Sequence, residues 1–389
     1  MADHEPRLKV LHIITRFILG GAQENTLLTL IGLRGHPRYE PLLATGPAIG
    51  PEGSLLERAR SENIRTVLIP ELVREISPWN DWKALRYVRR LIREIHPAIV
   101  HTHSSKAGII GREAAHRENV PAVVHTIHGP PFHPREKPWR NRLYAFLERR
   151  AAGQSHAVIS VADAMTAQFL AQRIGSPSLY TTIRSGMEVE PYLAQYDRDA
   201  LRSSLAIPPD AFVVAKIARI APLKGHEDLL NAAAEARSAC PSLHLLLVGD
   251  GELRISIEAL AAKLGLSSAV TFTGLVPPSR IPELLAAADC LVHASYREGL
   301  PRAVVQAMLS ALPVVVYNVD GAPEVVSDAR TGFLVAPGDV HGLAASVQKL
   351  ASNPSLAADM GRSGRERVRN DFDWKEMVRR IAALYDRLL

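Results

Sequence analysis

The stretch FVVAKIARIAPLKGHEDLL, from Phe212 to Leu230, decides the fold. Its first part, Phe212 to Ala218, is a near-continuous apolar run, the signature of a strand covered on both faces. A short loop follows, and then a segment that reads as a helix. Strand, loop and helix in that order form the unit from which parallel sheets are built. Pro208-Pro209 marks a turn immediately before the unit. Toward the C-terminus the reading continues with strands expected at His244 to Val248, Val270 to Thr273, Cys290 to Ala294 and Pro313 to Val316. Toward the N-terminus the same grammar has already run once. Strands are expected at Lys9 to Thr15 (KVLHIIT), Glu40 to Thr45, Thr66 to Ile69, Ile99 to Thr102, Ala122 to Thr126 and Ala157 to Val161.

Helical patterns separate most of these strands. In Asp81 to His96, Leu85, Val88, Leu91, Ile92 and Ile95 share one face, while Arg86, Arg89, Arg90 and Arg93 lie largely off it. The expectation is an α/β protein of two Rossmann-like, doubly wound parallel-sheet domains facing a central cleft. Residues 1–187 make the first domain and 188–370 the second, with a hinge near 186–208. A terminal helix within 371–389 has no strand after it.

Length and composition suit two globular domains. The chain has 389 residues, 47% of them apolar and 22% charged, which excludes a disordered or fibrous protein. Its two cysteines, Cys240 and Cys290, sit in apolar context and offer neither a disulfide framework nor a thiolate metal site. The N-terminal MADHEPRLKVLHIIT lacks a small-residue cleavage site, and no apolar run is long enough to span a bilayer, so a cytoplasmic protein is expected. The net charge of +6 is unevenly placed. Residues 1–187 carry 25 Lys and Arg against 16 Asp and Glu, whereas residues 188–389 carry 21 against 24. A first half at +9 points to an anionic partner, with a phospholipid surface or lipid diphosphate as a candidate. Basic and aromatic residues are not interleaved as in RNA-binding proteins, so no nucleic-acid partner is expected. The arginines of 81–96 are the expected membrane-facing group, a solvated helix face being the alternative.

Four constellations carry chemistry, and three lie where a strand runs into a helix, at the sheet edge where ligands collect in open α/β folds. Gly20-Gly21-Ala22-Gln23 follows the first strand. Glycines admit close backbone approach, and a helix N-terminus offers free N–H groups to a diphosphate. Arg219 and Lys224 lie five residues apart on the loop after Phe212 to Ala218, where two cations can clamp a diphosphate and stabilise charge developing on it. In EGLPRAVVQAM (Glu298 to Met308), Gly299, Leu300 and Pro301 form a turn that presents backbone N–H groups. Glu298 there can accept hydrogen bonds from ligand hydroxyls, and Gln306, about two turns on, projects to the same side. Read alone, these strings also fit a tight turn, a solvated loop and a capped surface helix.

The fourth constellation is histidine-rich: HTHSSKAG (His101 to Gly108) and HTIHGPPFH (His125 to His133). It lacks the carboxylate or thiolate company and spacing of a metal signature, so no metal is expected. His128 is the single histidine expected to face a ligand.

Together the strings resemble the family 4 glycosyltransferases of the GT-B fold, over nearly the whole chain and in the same order. GGAQ, TIHG, ARIAPLKGHEDLL, VGDGELR, the run from Thr271 to Val276, ASYREGLPRAVVQAM and DGAPEVV each fall where that family has a counterpart. The resemblance implies a retaining transferase that moves a sugar from a nucleotide diphosphate donor to a glycan, lipid-linked or other hydroxyl acceptor. It implies that Gly20, Gly21, Arg219 and Lys224 meet the diphosphate, and His128 and Glu298 the transferred sugar. Leu275 and Val276 would meet the nucleobase, and Gly299, Leu300, Pro301, Gln306 and Glu324 complete the substrate contacts. One position departs from the pattern: Gln306 stands where the family has a second Glu for the ribose hydroxyls, so a weaker donor contact or an altered nucleotide preference is expected. The mechanism expected is metal-independent and cofactor-free same-face displacement, in which the leaving diphosphate helps deprotonate the acceptor. Two other readings are a non-catalytic nucleotide-sugar or carbohydrate-binding protein and a sugar-nucleotide 2-epimerase. The epimerase would need acid/base carboxylates in its cleft.

Overall fold

The computed structural model describes residues 6–48, 53–132 and 136–389. His133, the last residue of the second histidine string, lies outside the described residues. The chain divides into two compact units, residues 1–187 with 373–389, and residues 188–372.

The first unit alternates strand and helix. It runs β1 (Leu8–Arg16), α1 (Gly21–Arg34), β2 (Tyr39–Gly46), α2 (Leu56–Ser61), β3 (Arg65–Leu68) and α3 (Pro78–Ile95). It continues with β4 (Ile99–His103), α4 (Ser105–Arg117), β5 (Ala122–Ile127), α5 (Pro138–Ala152), β6 (Ala157–Ser160), α6 (Asp163–Ala171) and β7 (Tyr180–Thr182). The seven strands lie parallel in the order β3-β2-β1-β4-β5-β6-β7. The order reverses between β1 and β4, which opens a crevice at their carboxyl ends. Apolar residues on both sheet faces make the core. Leu11 and Ile13 face α3 and α4, whereas Val10 packs with Leu28 and Leu33 of α1.

The second unit opens with α7 (Glu190–Leu193) and α8 (Arg198–Ser204). Then come β8 (Phe212–Ile217), α9 (His226–Ala236), β9 (Leu243–Val248), α10 (Arg254–Lys263), β10 (Val270–Gly274), α11 (Ile281–Ala286) and β11 (Cys290–His293). It ends with α12 (Arg302–Leu309), β12 (Val314–Tyr317), α13 (Ala322–Val325), β13 (Gly332–Val335), α14 (Val340–Ala351) and α15 (Pro354–Val368). Its six parallel strands have the order β10-β9-β8-β11-β12-β13, again with a switch point, between β8 and β11. Every strand expected from sequence is present within two residues at each end; β7 and β13 are additional. Both are short edge strands: in Tyr180–Thr182 no residue is fully buried, and Gly332–Val335 is an apolar run of only four residues.

The last helix, α16 (Trp374–Leu388), packs on α1. Asp373 caps it by accepting a hydrogen bond from the Lys375 N–H. Met377, Val378, Ile381, Ala382, Leu384 and Tyr385 form its buried stripe. Among the described residues no helix is long and apolar enough to cross a membrane.

Candidate functional site

In the second unit the residues singled out by sequence gather at the carboxyl edge of the sheet. Arg219 is exposed on the loop after β8, and Lys224 closes that loop before α9. Gly225 fixes the loop's path. Its φ is +65°, and a Cβ there would lie 1.9 Å from the Ala294 carbonyl oxygen, so the backbone passes too close for any side chain. Beyond Ala294 the chain reaches Glu298, and the two loops bond directly: the Tyr296 N–H donates to the Leu223 carbonyl at 2.8 Å.

This close packing joins residues far apart in sequence. Lys224 Nζ donates to Glu298 Oε1 at 2.7 Å, and His293 Nε2 meets the same oxygen at 3.0 Å. The Glu298 backbone N–H donates to Asp320 Oδ2 at 2.8 Å, which sets the start of the Gly299–Pro301 turn. Burial pushes the Glu298 carboxyl up, but Lys224 and His293 outweigh burial and hold it below the ordinary carboxylate range. Glu298 is therefore an anion at neutral pH, suited to accept hydrogen bonds from hydroxyls and unsuited to give up a proton.

Beneath the pair lies a residue that sequence reading passed over. Lys216, near the end of β8, is fully buried, and its Nζ has no hydrogen-bond partner among the described residues. Burial and, less, the nearby Lys224 together push its pKa down to about 7, with Glu298 and Asp228 opposing. His293 was passed over too; burial lowers its pKa, and the Glu298 bond opposes that. A signal for both was present: an ionisable residue inside an apolar strand is rarely buried without a special environment.

The other expected contacts spread along the same edge. Leu275 is exposed and Val276 half-buried, just after β10, where Gly274 takes a φ of +70°. The Gly249 N–H donates to the Gly274 carbonyl, and the Ile220 N–H to the Asp250 carbonyl, so the loops after β8, β9 and β10 are knitted together. Gly299, Leu300 and Pro301 are buried at the start of α12. Gln306, on that helix, donates from Nε2 to the Tyr192 hydroxyl at 2.8 Å. The amide thus has a fixed orientation that sequence could not show, with Oε1 as its accepting atom. Glu324 is half-buried on α13, after β12, and its backbone carbonyl accepts a hydrogen bond from Arg367.

In the first unit, Gly20 and Gly21 lie where β1 passes into α1. Gly20 has extended backbone with φ 167°, so any value of glycine here comes from the missing side chain and not from a left-handed turn. His128 follows β5 and lines a cavity of about 280 Å³ with Ser104, Thr126, Gly129, Glu148 and Phe169. Behind it the adjacent strands β1, β4 and β5 collect His12, His101, His103 and His125, all buried. His12, which sequence reading left inside KVLHIIT without a role, belongs to this group. The arginine face of α3 is less bare than expected: Arg89 and Arg93 both pair with Glu118, and Arg90 with Glu94.

Comparison with known proteins agrees with this architecture. Residues 26–186 match the family described as "Glycosyl transferase 4-like domain", and residues 197–367 match "Glycosyl transferases group 1". The UDP-Gal:alpha-D-GlcNAc-diphosphoundecaprenol alpha-1,3-galactosyltransferase of Escherichia coli is 27% identical, over 99% of this chain and 98% of its own. The 2-deoxystreptamine glucosyltransferase of Streptomyces kanamyceticus is 31% identical over 62% of each chain. Among solved structures, HepE of Anabaena in complex with UDP-glucose superposes with a TM-score of 0.84 at 24% identity, covering 98% of this chain and 100% of its own. Two parallel-sheet units of seven and six strands are the architecture of the GT-B glycosyltransferases. The chain belongs to the family 4 members of that class, and it is an enzyme.

Proposed function

We propose that the protein is a retaining glycosyltransferase whose donor is a nucleotide diphosphate sugar, held at the carboxyl edge of the second sheet. The observation that carries this reading is the convergence of Lys224 and His293 on one oxygen of Glu298. When a diphosphate arrives, Lys224 can turn to it while His293 continues to hold the carboxylate, so no buried charge is left without a partner. Arg219, exposed on the same loop, supplies the second cation of the clamp. Glu298 receives the sugar hydroxyls, and His128 takes the sugar-facing role that its TIHG loop implies. Charge then builds on the leaving diphosphate, where fixed cations lower the barrier, and the diphosphate takes the acceptor proton. These roles draw only on this chain's side chains and the donor's own phosphate, so we propose a reaction independent of metal and of any further cofactor. The UDP-glucose complex of HepE and the UDP-Gal donor in the name of the E. coli relative favour a uridine nucleotide.

The acceptor we propose is lipid-linked, presented at the inner face of the membrane. The E. coli relative is named for a diphosphoundecaprenol acceptor. On this chain α3, α4 and α5 lie side by side, and exposed aromatics mark the first turns of α3 and α5. Trp79 (62% exposed) stacks on Trp82, while Trp139 (59% exposed) starts a stripe continued by Leu143 and Phe146. Lys83, Arg86 and Arg140 lie over these rings. Helix starts in a parallel α/β unit lie at the carboxyl edge, so both groups share that edge with the His128 loop. Indole rings flanked by cations suit the headgroup layer of an anionic bilayer.

The test is turnover of radiolabelled UDP-sugars with a lipid-diphosphate acceptor, together with thermal-shift titration. Glu298→Gln and Lys224→Met should each lower kcat by about 100-fold or more, as losses of preorganised electrostatic groups do. UDP binding that raises the melting temperature without any sugar transfer across a panel of acceptors would instead show a binding protein.

A further inference from the structure

Three imidazoles of the first unit, His12, His101 and His103, lie close enough to hold a metal ion. Their hydrogen bonds point to a different use. The two nitrogens of His101 are already engaged, Nδ1 with the Tyr385 hydroxyl and Nε2 with Thr126 Oγ1. The other two rings form a line that leads out of the core. His12 Nδ1 lies 3.0 Å from His103 Nε2, and His103 Nδ1 lies 3.2 Å from His128 Nε2. The planes of successive rings differ by 12° and 27°, with centroids 5.3 and 5.5 Å apart. These values place the rings edge to edge, so each N–H can point along the plane of the next ring's lone pair.

The line has a direction. His12 Nε2 is buried at its inner end and has no hydrogen-bond partner among the described residues. An N–H orphaned in the core is the worse of the two alternatives, so this nitrogen carries the lone pair and the ring's proton sits on Nδ1. That proton is donated to His103 Nε2. Burial holds the pKa of His12 at about 3 and that of His103 well below the ordinary value, so both rings stay neutral with one proton each. His103 therefore has its proton on Nδ1 and donates it to His128 Nε2. A ring that accepts at Nε2 cannot be an imidazolium, and its single proton is on Nδ1.

We propose that His12 and His103 are positioning residues that hold His128 as the neutral Nδ1–H tautomer. This rests on the reading of His128 as the residue that meets the transferred sugar. It adds to that reading the polarity of the contact. Any contact that His128 Nδ1 makes with the sugar is then one in which it donates, and so selects a sugar oxygen able to accept. No atoms are exchanged along the line in its resting state; it acts by removing the alternative tautomer.

The experiment is 15N–1H correlation of the full-length protein labelled at histidine, in which the shifts of the two ring nitrogens report the tautomer. In wild-type protein the His128 signals should show protonated Nδ1 and unprotonated Nε2; protonated Nε2 would overturn the proposal. His103→Gln retains an N–H donor toward His128 and should keep the tautomer. His103→Leu should release it to a mixture and lower kcat by about tenfold, the loss of one hydrogen bond's worth of bias, with little change in donor KM. If the Leu variant shifts the tautomer but not kcat, the relay stands and the sugar-contact reading of His128 fails. If zinc raises the melting temperature and the chelated protein loses the wild-type tautomer pattern, the cluster is a metal site and the relay is wrong.

Discussion

Lys216 poses the sharpest question at the scale of a single residue. A lysine buried in a strand without a hydrogen-bond partner costs stability whenever it is charged. Its folded pKa of about 7 lies below the ordinary lysine value of 10.5, so between those limits the unfolded chain binds the extra proton. Stability from this group therefore rises with pH across that window, by about 1.4 kcal/mol per pH unit, and the penalty is complete below pH 7. Lys216→Met, similar in shape and uncharged, should raise the melting temperature most at pH 6 to 7, with the gain fading by pH 10. Paired thermal melts of the two proteins across that pH range would show it. A gain that does not vary with pH would mean that charge is not what Lys216 contributes. Retention of so costly a residue, under the Lys224–Glu298 pair, fits a chain that gives up stability for electrostatics at its donor site.

At the scale of elements, α3 and α5 make the interaction surface we assign to the bilayer. Trp79→Ser together with Trp82→Ser should reduce co-sedimentation with vesicles of phosphatidylglycerol by about tenfold, while leaving transfer to a short-chain soluble acceptor intact. Equal vesicle binding by the double variant would refute the assignment. Charge reversal at Arg89 or Arg93 should do less, since Glu118 already faces both. The reading from sequence gave a membrane contact to the arginines of this helix, and two of them, Arg89 and Arg93, are paired with Glu118. Periodicity shows which side of a helix is polar. It cannot show that an acid on the end of the next helix neutralises part of that side, and Glu118 follows α4 across a tertiary contact. The loop after β8 teaches the same point. Its cations, Arg219 and Lys224, were legible from their place between a strand and a helix. The reason it needs Gly225 was not, because the obstructing atom is the carbonyl of Ala294.

For the whole molecule, buried histidines couple the fold to acidity. Burial lowers His12, His101, His103 and His125 in the first unit, and His226, His244 and His293 in the second. Each folded pKa lies below the ordinary value of 6.5, so the unfolded chain binds more protons as pH falls through 6.5. The stability these rings contribute is present above that pH and lost below it, at about 1.4 kcal/mol per pH unit for each ring that stays neutral. The urea midpoint should fall steeply from pH 6.5 to pH 5; a flat profile would mean that the rings are hydrated and charged in the native state. The sequence by itself determined the two sheets and most of their strands, because inner strands of a parallel sheet must be apolar along their length and helices must follow at fixed intervals. It also marked the loops that are candidates for chemistry, since ligand sites in open α/β sheets lie where strands end. Tertiary structure alone decided the partners. That Glu298 is shared by Lys224 and His293, that Gln306 is held by Tyr192, and that His12 and His103 stand in line behind His128 all depend on strand order and register, which bring together residues tens of positions apart. Hydrophobic pattern fixes the period of an element, and only packing in three dimensions fixes its neighbours.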